Sequence, residues 1–292
     1  MELISIENKI KKTEAVLNNV FKLHSMPKVL GEILQYLNSD SVNNTTLSKM
    51  ILRDQSLATK ILAIANSPLY GLQRNVTTID FAVMVLGVEE IKHIVSSLSM
   101  MDTFKNKTDD YLDQAKFWEH SFLVALISKK IAEDFKMKYV GEIFTAGFLH
   151  DLGLPIIHRY FHSSFVKIKE DIELAGTNFI EAERENIGLT HAEIAYRLLD
   201  KWNLPVILCD ITKHHHAPLN SEEFPKQTAV VHLADYTTKY LSTGSFFWNH
   251  QLELDYTAAK LIGFKTDEEV IEYIEQFRSI LPQQLESMRH LL

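Results

Sequence analysis

The chain has 292 residues, more than a single hydrophobic core usually organises, so two domains or two fused lobes are expected. Hydrophobic residues make up 46% of it and charged residues 23%, ordinary values for a globular protein, which excludes a disordered chain. A formal charge of −8 argues against a general nucleic-acid binder, because displacing counterions from phosphates needs a concentrated cationic face.

Only ten glycines and seven prolines interrupt long stretches of Leu, Ile, Ala, Glu and Lys at helical spacing, which predicts an all-α fold. Cys209 is the sole cysteine, so no internal disulfide and no thiolate zinc site is available, and a reducing cytoplasm is the expected location. The opening MELISIENKIKKTEAVL lacks the apolar core of a secretion signal. No run is expected to reach the roughly 20 apolar residues that cross a bilayer.

In chain order, Val29, Leu30, Ile33, Leu34 and Leu37 predict a first core helix over Pro27 to Leu37. A second runs through Leu47, Met50, Ile51 and Leu52, and Asp54 or Ser56 caps a third that carries Leu57, Ile61 and Leu62. NSPLYG at 66–71 reads as a structured turn, since proline disfavours helix before it and glycine is free to take positive φ. Helices over Thr78 to Leu86, stopped by Gly87, and over Glu89 to about Met101 complete a bundle of about five helices. The polar KNKTDD at 105–110 has no apolar period and marks the junction between a first lobe, 1–107, and a second, 108–292. The second lobe opens with a long helix through Ile131, followed by helices near 140–150, 163–175, 190–200, 205–216, 225–242, 255–262 and 266–280.

Several of these helices carry an imidazole or a carboxylate on their apolar stripe. Phe117, His120, Val124, Ile127 and Ile131 fall at offsets of three and four, so His120 points inward. His191 joins Ile194 and Leu198 in the same way, and His215 joins Leu204, Leu208 and Ile211. Asp235 sits within the mostly apolar VVHLADYTT, where a buried carboxylate requires a cation or strong donors. His150 and Asp151 are adjacent in FLHDLG and approach a common point from a helix end. A lone histidine on an apolar stripe is more often a hydrogen-bonded core group, and His214 fits a solvated helix terminus, so the reading rests on the set rather than on any member. Imidazole and carboxylate together, without thiolate, suit a divalent metal of the Fe, Mn, Ni or Zn class.

The order His120, His150–Asp151, His191, His215–His216, Asp235 resembles the HD superfamily of metal-dependent phosphohydrolases. The segments FWEHSFLVALISKKIAE, TAGFLHDLG, GLTHAEIAYRLLDKWNLPVILCDITKHHHAP and VVHLAD are similar to the HD-related output domain family, HDOD, of bacterial signal transduction. In the first lobe MPKVLGEIL, LSKMILRDQSLATKILAIANSPLYG and TTIDFAVMVLGVEEIKHIV match that family's N-terminal pattern, so the resemblance spans roughly residues 21 to 243. It implies an N-terminal helical bundle packed on an HD-like helical domain, a cytoplasmic regulatory role and a signalling protein as partner, without a reaction common to the family. Residues matching the HD ligand pattern are His120, His150, Asp151 and Asp235. His191, His215 and His216 match extra ligands of the related HD-GYP cyclic dinucleotide phosphodiesterases. The chain departs from HD-GYP after His216, where APLNSEEFP replaces the glycine-rich segment, and from the usual DPAL motif at Asp54-Gln55-Ser56-Leu57.

Two functions follow: a signalling module whose buried site is structural or ligand-sensing, and a metal-dependent phosphohydrolase acting on a nucleotide or other phosphate ester, with Lys213 or Lys239 neutralising phosphate charge. A helix-turn-helix over 45–65 rests on spacing alone and is opposed by the acidic balance.

Overall fold

A computed structural model describes residues 6–23, 32–33, 35–36, 42–104, 107–244 and 247–288. Among the described residues there are helices and turns but no strand, so the chain is all-α as its composition predicts. The helix expected over Pro27 to Leu37 lies largely outside the described residues.

The chain begins with α1 (Ile6–Leu23), which the apolar spacing did not single out, then α2 (Asn44–Ile51) and α3 (Gln55–Ala65). Asp54 is the residue that caps α3, accepting the Leu57 amide at 3.0 Å, so glutamine in place of proline at position 55 leaves the helix start intact. The 66–71 segment forms a 3-10 turn over Pro68–Tyr70 closed by Gly71 in the left-handed region. Next come α4 (Ile79–Leu86), capped by Thr78, and α5 (Val88–Thr103). Gly87 joins them at φ 84°, a conformation that strains any side chain with a Cβ.

Beyond the connector the order is α6 (Gln114–Asp134), α7 (Val140–Leu149), α8 (Gly153–Tyr160) and α9 (His162–Ala175). It continues with α10 (Phe179–Ile187), α11 (His191–Lys201), α12 (Val206–His214) and α13 (Pro225–Tyr240). The last elements are α14 (Tyr256–Ile262), α15 (Asp267–Glu275) and α16 (Ile280–Met288). Helix α6 is buried around most of its circumference and packs on α7 and α13, which makes it the axis of the molecule.

The hydrophobic interior is continuous from Leu17 through Leu281. Both ends of the chain contribute to it across the connector. Helix α1 lies on α10, with the Thr13 hydroxyl donating to the Ile187 carbonyl at 2.7 Å, and α16 returns to α3, where Ser67 donates to Gln284.

One segment, Val140–Tyr160, is apolar and long enough to pass as a membrane span, contrary to the expectation that no run reaches that length. Within the fold 83% of its most apolar 18-residue window is buried, and the turn at 150–152 divides the segment into α7 and α8. That turn carries the His150–Asp151 pair.

Candidate metal centre

Helix α8 starts directly after His150 and Asp151, and Gly153 at its first position lies against the backbone where α11 begins. A Cβ there would stand 2.0 Å from the His191 carbonyl oxygen. The glycine therefore lets the turn that carries His150–Asp151 reach the helix that carries His191.

The seven sequence-predicted residues meet between α6, α7, α11, α12 and α13, six of them buried and His216, just past the end of α12, partly exposed. His120, His150 and His215 are fully buried, His191 and Asp235 are 1% exposed and Asp151 3%. The donor atoms fall into two groups, His120 with His150 and Asp235, and His191 with His215, His216 and Asp151. Asp151 stands between them. Its Oδ1 lies 3.2 Å from His191 Nε2 and 3.4 Å from His215 Nε2, and its Oδ2 lies 3.3 Å from His150 Nε2 and 3.8 Å from His120 Nε2. Asp235 Oδ1 is 3.3 Å from His120 Nε2.

In four of the five imidazoles the other ring nitrogen is pinned, whereas Nδ1 of His216 is buried without a hydrogen-bond partner. Nδ1 of His150 donates to the Gly147 carbonyl at 2.7 Å, and Nδ1 of His215 to the Thr212 carbonyl at 2.7 Å. Nδ1 of His120 donates to the Gly244 carbonyl at 3.0 Å, and Nδ1 of His191 to Glu183 Oε1 at 2.7 Å. In the neutral ring an N–H held at Nδ1 leaves Nε2 as the lone-pair nitrogen, so these four Nε2 atoms around the Asp151 carboxylate can carry a proton in the metal-free protein or turn a lone pair to an ion. Nε2 of His150 and of His215 has no hydrogen-bond partner despite full burial. This arrangement is costly unless something occupies the space in front of those lone pairs.

Glu183 is a functional residue that periodicity did not reveal. It is fully buried on α10, accepts the His191 amide at 2.8 Å and the Trp248 indole at 2.8 Å, and so orients the His191 ring from behind. Its only signal in the sequence is a glutamate eight residues before His191, on a helix the apolar pattern did not mark. His232 acts similarly for α12, donating from Nδ1 to the His215 carbonyl at 2.8 Å while its Nε2 accepts the Asp255 amide at 3.0 Å.

The electrostatics follow from burial set against pairing. Burial alone would raise the Asp151 carboxyl, yet His150, His191 and His215 together hold it well below the usual carboxylate range. Asp235 is lowered likewise, burial being outweighed by His120. Burial opposes the charging of His191, but Glu183 and Asp151 outweigh it and push its pKa up to about 10. Burial lowers His215, and it lowers His216 strongly, helped by the neighbouring His215 and His191. Without a metal, protons on some imidazoles balance the buried carboxylates, and a divalent cation would displace them. The donor set of imidazoles, carboxylates and no thiolate fits such an ion.

Other candidates point elsewhere. His214 faces Asp210 at 3.7 Å, in keeping with a helix-terminal role. Lys213 lies over the Tyr196 ring, and Lys239 donates to the Leu252 carbonyl, so neither turns to the centre. A third group that the sequence did not suggest joins Asp109 to His158 and His162 at the end of α8.

Comparison with known proteins agrees with the fold. The chain is 23% identical over 252 residues to an uncharacterised protein of Treponema pallidum (strain Nichols), covering 82% of this chain and 46% of that one. It thus spans about half the length of that relative. An HDOD domain protein of unknown function from Geobacter sulfurreducens superposes with a TM-score of 0.77 at 23% identity, over 97% of this chain and 99% of that one. A candidate phosphohydrolase from Shewanella amazonensis SB2B gives 0.72 at 24% identity, over 95% and 98%. The HDOD domain profile matches residues 23–218, two thirds of the length and both sides of the connector, and the chain belongs to the HDOD domain family.

Proposed function

We propose that this chain is a regulatory HDOD module whose interior histidine and aspartate centre takes up divalent metal, and whose surface engages a signalling protein. One observation carries this reading: four imidazoles, each pinned through Nδ1, present Nε2 to a single carboxylate in a site 0–3% exposed. Such a site is organised for an ion, with His216 as its one partly exposed donor. His120, His150 and Asp235 would hold one metal, His191, His215 and His216 a second, with Asp151 shared. Metal here would fix the relative positions of α6, α7, α11, α12 and α13.

A second reading, a phosphohydrolase acting on a nucleotide or other phosphate ester, draws on the position of Asp151 between two donor groups and on the Shewanella relative of that description. When bound, metal in such a site supplies Lewis-acid polarisation of a phosphoryl oxygen. The chain's own contribution would be to hold the imidazoles as lone-pair donors and to exclude bulk water.

Protein loaded in turn with Fe, Mn, Ni and Zn, then assayed for phosphate release from mono-, di- and cyclic nucleotides, separates the two. The regulatory reading expects tight metal uptake and no turnover. Release by wild type that is lost in His150→Ala would replace it with the hydrolase.

A further inference from the structure

The connector between α5 and α6 carries a constellation separate from the interior centre. Asp109 Oδ2 lies 2.8 Å from Nε2 of His158, near the end of α8, and 2.9 Å from Nε2 of His162, the first residue of α9. The two histidines are four residues apart, a spacing common in zinc sites, and the chain breaks helix between them at Phe161, with φ −131° and ψ 40°.

Each ligand is held from behind. The other oxygen of Asp109 accepts the Tyr111 and Leu112 amides, both at 2.9 Å, which fixes the orientation of Oδ2. His158 is clamped edge-on against Phe165 at 5.1 Å between ring centroids, and Phe165 in turn stacks on Trp248 at 4.6 Å. Its Nδ1 is buried without a hydrogen-bond partner. His162 packs edge-on against Tyr111.

The opposite side is open: the Asp109 side chain is 34% exposed and that of His162 50%. Two imidazole nitrogens and one carboxylate oxygen, oriented by their surroundings and facing solvent, make a three-ligand set with exchangeable positions left for water.

We propose that Asp109, His158 and His162 form a separate, exchangeable site for a borderline transition-metal dication such as Zn²⁺ or Ni²⁺, and that the ion staples the connector to the junction of α8 and α9. The site shares no ligand with the interior centre. It acts on the segment that leads directly into α6, the helix that presents His120.

The test is calorimetric titration of Zn²⁺ into the full chain after the interior centre has been saturated and free metal removed. Wild type should take up one further equivalent. His162→Ala and the milder His162→Gln should each weaken that equivalent by roughly tenfold or more, the scale on which lost coordination support is felt, with melting curves matching wild type. Co²⁺ at the same equivalent should give ligand-field bands in wild type that are absent in both variants. No additional equivalent in wild type, or equal affinity in correctly folded variants, overturns the proposal.

Discussion

The two histidine and aspartate groups of this protein use the same side chains under opposite conditions. In the interior, Asp151, Asp235 and Glu183 are 0–3% exposed, so each charge must be balanced within the protein, and imidazoles pinned at Nδ1 do so at fixed distances. At the connector, Asp109 and His162 are open to water, which screens the charges and leaves the group stable with or without an ion. Burial makes the first group part of the fold, whereas exposure makes the second an accessory to it.

The largest expected effect comes from breaking the buried group. Asp235→Ala leaves the His120 side of the centre without its charge partner and should destabilise the fold by about 3 kcal/mol or more in chemical denaturation. An unchanged denaturation midpoint would mean that the carboxylate is not needed for balance.

Loss of orientation should cost less than loss of charge. Glu183→Gln keeps the shape and the hydrogen bond from Trp248 but weakens the hold on the His191 ring. Metal affinity, followed by competition with a chromophoric chelator, should fall about 10- to 100-fold. Gly153→Ala forces a methyl against the His191 carbonyl and should lower stability by about 1–3 kcal/mol, with metal uptake reduced in parallel.

The pH dependence of the metal-free protein probes the same balance. His191 is raised to about 10 in the folded state, against about 6.5 in the unfolded chain. Its contribution is therefore fully present below pH 6.5 and is lost as pH rises toward 10. Thermal melts should show this alkaline decline in wild type, and His191→Gln should flatten it. His216, lowered in the fold by burial, acts in the other sense and favours unfolding as pH drops below about 6.5. The smallest effect belongs to the exposed group: His162→Ala should change metal-free stability by no more than about 0.5 kcal/mol. A larger loss would mean that the connector group is structural.

Much of the interior centre was legible in the sequence because its ligands lie on regular helices. His120, His191 and His215 each sit at a three- or four-residue offset from core aliphatics, so periodicity alone turns them inward. Asp235 stood out as a charge inside an apolar run, and His150–Asp151 as a pair at a helix end. Glu183 escaped because α10, FIEAERENI, is polar on most of its surface and its inward carboxylate resembles the outward ones beside it. Asp109 and His158 escaped for a different reason: their meeting is set by how the connector lies across the α8–α9 junction, a long-range contact with no local period. The helix end near 150 was legible, but α8 (Gly153–Tyr160) was not, because it is short and follows α7 after only the three residues of the turn at 150–152.

The most direct test of the central claim is anomalous X-ray scattering from crystals of the metal-loaded protein, recorded on either side of the absorption edge of the retained metal. The account predicts anomalous density against Asp151, ringed by the Nε2 atoms of His120, His150, His191 and His215. A well-ordered crystal of folded, metal-replete protein with no such density among those nitrogens would contradict it.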